Sequence, residues 1–311
     1  MFIVDGHCDT IQVALDRGVD LEDKSLSFNL QEALEKVPIL QMTAAFINPN
    51  YQNSFQRACD IIEHFERQIK KYPNELIQVK TKEDIETVKR EKKIGCLLTI
   101  ENGRTIENKL ENVEYFYQKG ARVMSITWNE DNLLGCGANT KQDYGLTEFG
   151  KQYIEKLNEK KIIVDVSHSS EKTFWDAIKT SERPIVATHS CCYSLCPHPR
   201  NLKDEQIKAI AAKQGIIGIC YCTSFLSETG IAETKKIAEH IAYISNLVGV
   251  DYVGLGSDFD GLEKENVPTD LKCIGQIDNL IQSLSNMGLH KNEIEKIMGE
   301  NWLRILKKEL L

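Results

Sequence analysis

Short apolar runs rich in β-branched residues recur along this chain, separated by longer amphipathic stretches, and that alternation constrains the fold more than any other feature. The runs fall at 2–8, 38–46, 95–100, 122–127, 162–167, 184–188, 215–221 and 252–257. Between them, segments such as SFQRACDIIEHFERQIKKY and ETKKIAEHIAYISNLVG repeat apolar residues at three- and four-residue spacing, with charges on the other face. Gly215 and Gly249 end two of these stretches just before a strand, as C-terminal glycines do. The segment from about 272 to 309 reads as helices only. Eight buried-looking strands alternating with helices fit a closed (β/α)8 TIM barrel with extra C-terminal helices. No GxGxxG or P-loop sequence follows any run, which removes the signature of a nucleotide-binding open sheet. No Pro/Gly/Ser-rich linker or internal repeat divides the chain, so one domain over residues 1–311 is expected.

Composition narrows the function. A net charge of -8, without any long run of Lys or Arg, argues against nucleic acid as partner. The apolar start MFIV is too short for a secretory signal, and no stretch approaches the roughly 20 apolar residues of a membrane span. The expectation is a soluble, cytoplasmic protein with no membrane partner. Ten cysteines are scattered without pattern, which in such a compartment predicts reduced thiols and no disulfide framework.

Residues able to do chemistry collect at the C-terminal ends of the runs. His7 and Asp9 end the first and, two apart in extended chain, point to the same side. Glu101 follows CLLTI, His168 ends IIVDVS, His189 ends PIVAT and Asp258 ends YVGLGS. In a parallel barrel these ends open on one rim, where active sites sit. A lone His or Asp at a strand end is usually turn chemistry; six such residues on five of eight strands are not. Mixed imidazoles and carboxylates suit zinc better than calcium or magnesium. With two ions roughly 3.5–4 Å apart, one carboxylate can bridge, and Glu101 has the longer reach.

Other candidates receive blander readings. Cys8 alternates with His7 and Asp9 and should face away from them. Cys191, Cys192, Cys196 and His198 in CCYSLCPH lack the paired spacing of a zinc ribbon. His64, His240 and His290 lie in helical, charged surroundings and read as surface or helix-packing residues. Asp165 is out of phase with His168, which favours a supporting role. Asp258 is preferred over Asp260 because it directly follows the strand.

The motifs DGHCDT, TIENG, VDVSHSS, ATHS with HPRNL, GSDFDG and GENWLRIL, in that order over nearly the whole chain, resemble the membrane dipeptidase (renal dipeptidase) family of the amidohydrolase superfamily. The resemblance implies a barrel binding two zinc ions. His7 and Asp9 would hold one, His168 and His189 the other, and Glu101 would bridge them. A metal-activated hydroxide would attack a small dipeptide, including those with a D-residue at the C-terminus. Asp258 would carry the proton to the leaving amine, and Arg200 would pair with the substrate carboxylate. Family resemblance also suggests a homodimer and a soluble, bacterial-type member. One position departs: where the family commonly has His after the fourth strand, this chain has Trp128. Indole donates one N–H and never carries positive charge. Trp128 is therefore expected to contact substrate, and it opens an alternative: a catalytically weak homologue, or hydrolysis of N-acyl amino acids, lactones or related amides.

Overall fold

The computed structural model describes residues 1–310. Nine parallel strands run in chain order as β1 (Ile3–Cys8), β2 (Ile39–Phe46), β3 (Leu76–Gln78), β4 (Ile94–Glu101), β5 (Val123–Ser125), β6 (Ile163–Asp165), β7 (Ile185–Ser190), β8 (Ile216–Ile219) and β9 (Val253–Leu255). Because β2 pairs with both β1 and β4, and β9 pairs with β1, the ring β1-β2-β4-β5-β6-β7-β8-β9 closes into an eight-stranded barrel. Each apolar run of the sequence supplies one barrel strand. The extra strand, β3, pairs only with the first half of β4, from Leu76↔Ile94 to Gln78↔Cys96. Three residues ending in a Gln carry no apolar run, so the sequence pattern passes over it.

Two apolar layers hold the barrel. Inside it lie Val4, Leu40, Met42, Leu97, Val123, Ile163, Val186 and Ile216, closed at the bottom by Trp302, Ile305 and Leu306 of the helix Asn301–Glu309. The Trp302 indole N–H donates to the Leu255 carbonyl at 2.9 Å. Two strand glycines make room for the ring: a Cβ on Gly6 would lie 2.5 Å from it, and one on Gly254 2.8 Å. GENWLRIL is thus the plug of the barrel, and cutting Trp302 to Ala should cost roughly 3–5 kcal/mol. Outside, helices pack their apolar faces on the strands; Ser54–Lys71 buries Ala58, Ile61, Ile62 and Phe65. The C-terminal segment is helical as expected, with Asp278–Asn286, Lys291–Glu295 and a π-helical turn, Lys296–Glu300, leading into the plug helix.

Two register slips matter for the site. β1 pairs Asp5 with Gln41 but Cys8 with Thr43, and β7 pairs Ala187 with Ile217 but Ser190 with Ile219. Each strand therefore carries one residue more than its partner, a bulge that re-aims side chains. The bulges fall at His7 and His189. All ten cysteines are unpaired and nine are buried. Among the described residues, no helix is long and apolar enough to cross a membrane.

Candidate metal centre

The six strand-end residues converge. The chain brings three groupings of possible ligand atoms together, each within 4.8 Å: His7 with Asp9 and Glu101; Glu101 with His168 and His189; His7 with His189 and Asp258. All of these side chains are buried or nearly so. Glu101, the last residue of β4, divides its carboxylate between the first two groupings. Its Oε1 lies 2.7 Å from His168 Nε2 and 3.8 Å from His189 Nε2, and its Oε2 lies 3.3 Å from His7 Nε2. The geometry of a bridging ligand is present.

Supporting partners fix which nitrogen each imidazole presents. His168 Nδ1 is 2.8 Å from Asn129 Oδ1, an acceptor, so the ring proton sits on Nδ1. His189 Nδ1 is 2.9 Å from Thr188 Oγ1, whose own proton goes to Asp165 Oδ2 at 2.7 Å. Both Nε2 lone pairs then face the cavity, only 2.8 Å apart. Together with Glu101 Oε1 they form a cluster of acceptors, to which, among the described residues, only Arg200 Nη2, 3.2 Å from His168 Nε2, offers a proton. Asp165 plays a supporting part, since it also accepts from Ser167 and the Thr188 backbone.

The opposite half is equally short of protons. His7 Nε2 lies 3.4 Å from Asp9 Oδ2, yet His7 Nε2 and Asp9 Oδ1 are buried without a hydrogen-bond partner. Burial, with Arg200 near, pushes the pKa of His168 down to about 3, and burial with the neighbouring His7 charge pushes His189 well below its usual range. Both are therefore neutral, the form that ligates metal. Burial also works against a charged His7, but Glu101 and Asp9 raise its pKa well above the usual value. Burial lifts Asp9 and Asp258, with Glu101 adding repulsion to each. Burial would lift Glu101 too, but His7 and His168 hold it below the usual carboxylate range. Three buried carboxylates outnumber the Arg200 guanidinium and the one imidazole, His7, whose proton they favour, so the site is short of positive charge and divalent cations fit it.

Asp258 follows β9 by three residues, in the left-handed region at φ 61°. Its Oδ1 is 3.9 Å from His7 Nε2, and its Oδ2 accepts the Cys220 thiol at 3.6 Å. The Cys220 sulfur in turn accepts the Cys222 N–H. Asp260 is occupied elsewhere: it accepts from Thr10 Oγ1 and from the Ser27 and Phe28 backbone, tying a loop to the rim. Gly261 must be glycine for a local reason. A Cβ there would lie 2.2 Å from Asp9 Oδ2 and 2.5 Å from Asp258 Oδ1.

Above the centre lies a cavity of about 240 Å³ with Asp9, Glu101, His168, His189 and Asp258 at its floor. Arg200 enters it 96% buried, its Nε and Nη1 without partners among the described residues and its guanidinium 5.5 Å from the Phe225 ring. Trp128 forms part of the wall, half-buried, with ring centroids 5.2 Å from Phe46 and 5.9 Å from His168.

The remaining candidates stand apart. Cys8 is buried in the outer apolar layer. In CCYSLCPH, the Cys191 and Cys196 thiols donate to separate backbone carbonyls, of Cys220 and Ser224. His240 is a packing residue: its Nδ1 accepts the Cys192 N–H and its Nε2 donates to the Leu226 carbonyl. His64 is buried in its helix and His290 caps another. Sequence reasoning missed Asn129, Thr188, Cys220 and Phe46. Asn129 and Thr188 adjoin residues it singled out, and adjacency was the available signal; Cys220 and Phe46 carried none.

Comparison with known proteins bears on the fold and the family. A protein described as uncharacterised, from the pqqA 5′ region of Klebsiella pneumoniae, is 35% identical over 234 residues, covering 72% of this chain and 85% of that protein. A Pseudomonas aeruginosa amidohydrolase structure superposes with a TM-score of 0.87 at 25% identity, covering 99% of this chain and 96% of the other. A Rhodobacter sphaeroides metallopeptidase, solved with a phosphinate mimic of L-Ala-D-Ala, superposes with a TM-score of 0.91 at 22% identity, covering 100% and 99%. The family model for membrane dipeptidase (peptidase family M19) matches residues 1–311, and the chain belongs to that family.

Proposed function

We propose that this chain, as one barrel domain over residues 1–311, is a zinc-dependent dipeptidase that cuts the peptide bond of small dipeptides, including those ending in a D-residue. The observation that carries the reading is the division of Glu101 between two sets of imidazoles. His7 and Asp9 would hold one ion, His168 and His189 the other, with Glu101 shared. Mixed nitrogen and oxygen ligands favour zinc over magnesium or calcium. When bound, such a pair of ions lowers the pKa of water and polarises the scissile carbonyl.

The chain's own residues do the rest. The unpaired Nε and Nη1 donors of Arg200 receive the C-terminal carboxylate and set the substrate's direction across the cavity. Asp258, its basicity raised by burial, accepts a proton from the attacking water and returns it to the leaving amine. The thiol of Cys220 on Oδ2 leaves Oδ1 turned toward the centre. The R. sphaeroides relative, described as a metallopeptidase, supports the metal-dependent part of this reading, and the dipeptide mimic bound to it supports the substrate class. Chelator-stripped protein should lose dipeptide hydrolysis and regain it with Zn²⁺ at two ions per chain. Hydrolysis that survives complete metal removal would refute the proposal.

A second reading keeps the metals and changes the substrate to N-acyl amino acids or lactones. The observation favouring it is Trp128, an uncharged donor in the wall where the family commonly has His. Losing an oxyanion donor costs about 2.7–4 kcal/mol, most harmful for a stable peptide bond. Turnover of N-acyl amino acids or lactones, with none of L,L- or L,D-dipeptides, would establish this reading over the first.

A further inference from the structure

Arg200, with Phe225 beside it, marks one side of the cavity, and barrel order sets Phe46 on the other. Arg200 hangs from the loop after β7. In the ring β1-β2-β4-β5-β6-β7-β8-β9, the strand four places from β7 in either direction is β2, which ends in Phe46. Trp128, beyond the end of β5, leans on Phe46 with their rings tilted by 49°, so the pair arches over the β4 strand that carries Glu101. A substrate anchored by its carboxylate at Arg200, with its scissile carbonyl above Glu101, extends its amino-terminal residue onto this pair.

The same edge carries an orphan acceptor. Gln12, on the helix Thr10–Arg17 directly after β1, lines the cavity, and its Oε1 is buried without a hydrogen-bond partner among the described residues. β1 neighbours β2, and Gln12 lines the same cavity as Phe46 and Trp128. A free α-ammonium is the group that satisfies it, and the side chain on the same carbon then falls against the rings.

We infer that Phe46 and Trp128 are specificity-determining residues that select dipeptides with an aromatic or large apolar amino-terminal residue, whose free amine is received by Gln12. The inference rests on the dipeptidase reading and names its substrate class. It also gives Trp128 a task that the His usual at that position could not perform, since indole offers a larger apolar face.

The test uses two dipeptides of identical composition and opposite order, Phe-Ala and Ala-Phe, with the zinc-loaded enzyme. Apolar pockets discriminate by about 10–200-fold, and Phe-Ala should exceed Ala-Phe in kcat/KM by at least about tenfold. Trp128→Leu and Phe46→Leu, which keep an apolar side chain at each place and remove only the aromatic face, should each pull that ratio toward one. N-acetylation of Phe-Ala removes the charge on the amine and should lower kcat/KM by about tenfold or more. A wild-type ratio near one, or in favour of Ala-Phe, overturns the inference and leaves the dipeptidase reading standing. A ratio unmoved by both substitutions overturns the assignment to Phe46 and Trp128, and acetyl-Phe-Ala as the better substrate overturns the part given to Gln12. Hydrolysis of neither dipeptide by fully metallated enzyme overturns the dipeptidase reading, and this inference with it.

Discussion

Replacing Thr188 by Val deletes one hydroxyl from a buried hydrogen-bond chain and asks what turns the Nε2 of His189 toward the centre. Thr188 is 1% exposed, and its Oγ1 receives the His189 Nδ1–H at 2.9 Å. Asp165 survives the change well, because it keeps three other donors, from Ser167 N, Ser167 Oγ and Thr188 N. The loss therefore falls on His189. A buried donor without a partner costs about 1–3 kcal/mol. The ring can escape that cost by moving its proton to Nε2, where it no longer ligates a cation. Supporting partners of this kind are worth about 10–100-fold in metal affinity, or about 1.4–2.8 kcal/mol. Zinc affinity measured by chelator competition should fall by that factor for one of two ions only, because His7 and Asp9 are untouched. At limiting free zinc the variant should hold about one ion per chain where the wild type holds two. Thr188→Ser restores the hydroxyl and should restore the second ion. Unchanged affinity in a folded Val variant, or equal weakening by Ser, refutes the tautomer argument.

Asp258→Asn keeps the shape of the side chain and removes its basicity, so kcat should fall about 10²–10⁴-fold with metal content retained, checked by single-turnover kinetics beside metal analysis. Cys220→Ala removes the donor on Asp258 Oδ2; kcat should drop about 2–10-fold with KM unchanged, and Cys220→Ser should recover it. His240 predicts a pH effect remote from the metals. Burial holds its pKa down at about 4, so its neutral form stabilises the fold fully above about pH 6.5, and that stability is lost as pH falls toward 4. At about 1.36 kcal/mol per unit the loss approaches about 3 kcal/mol, and denaturant titrations of His240→Gln should show a correspondingly shallower acid slope.

Most of the barrel was legible because burial on both faces writes itself into composition. Ile and Val recur among small, uncharged residues in runs such as PIVAT and GIIGICY, and all eight runs became strands of the ring. Residues at strand ends were legible for the related reason that parallel strands share one rim, so positions far apart in sequence share one address. What the pattern could not carry was support at a distance. The thiol on Asp258 comes from β8's end, 38 residues away, and the carboxamide on His168 comes from Asn129, 39 residues away. Neither contact leaves a periodic trace. β3 was invisible because three residues on the edge of β4 bury too little to need an apolar run.

The alternation rule itself holds at the centre only through an irregularity. In an unbroken strand His7 would share a face with Asp5 and Ile3, and Ile3 belongs to the outer layer against the helices while Val4 points into the barrel. The extra residue between Asp5 and Cys8 resets that phase, so His7 turns inward one position after Gly6 already faces Trp302. β7 repeats the device, with its slip between Ala187 and Ser190 carrying His189 inward above Val186. One imidazole of each half is thus aimed by a bulge, and both bulged strands pair with regular neighbours that hold them in place. The bulge also explains why Asp5, on the same strand, is free to spend its carboxylate on Ser257, whose backbone leads directly into Asp258. A closed ring of strict alternation would aim at most one layer of side chains at its rim; two strands with an added residue let apolar packing below and imidazole nitrogens above come from the same short segments.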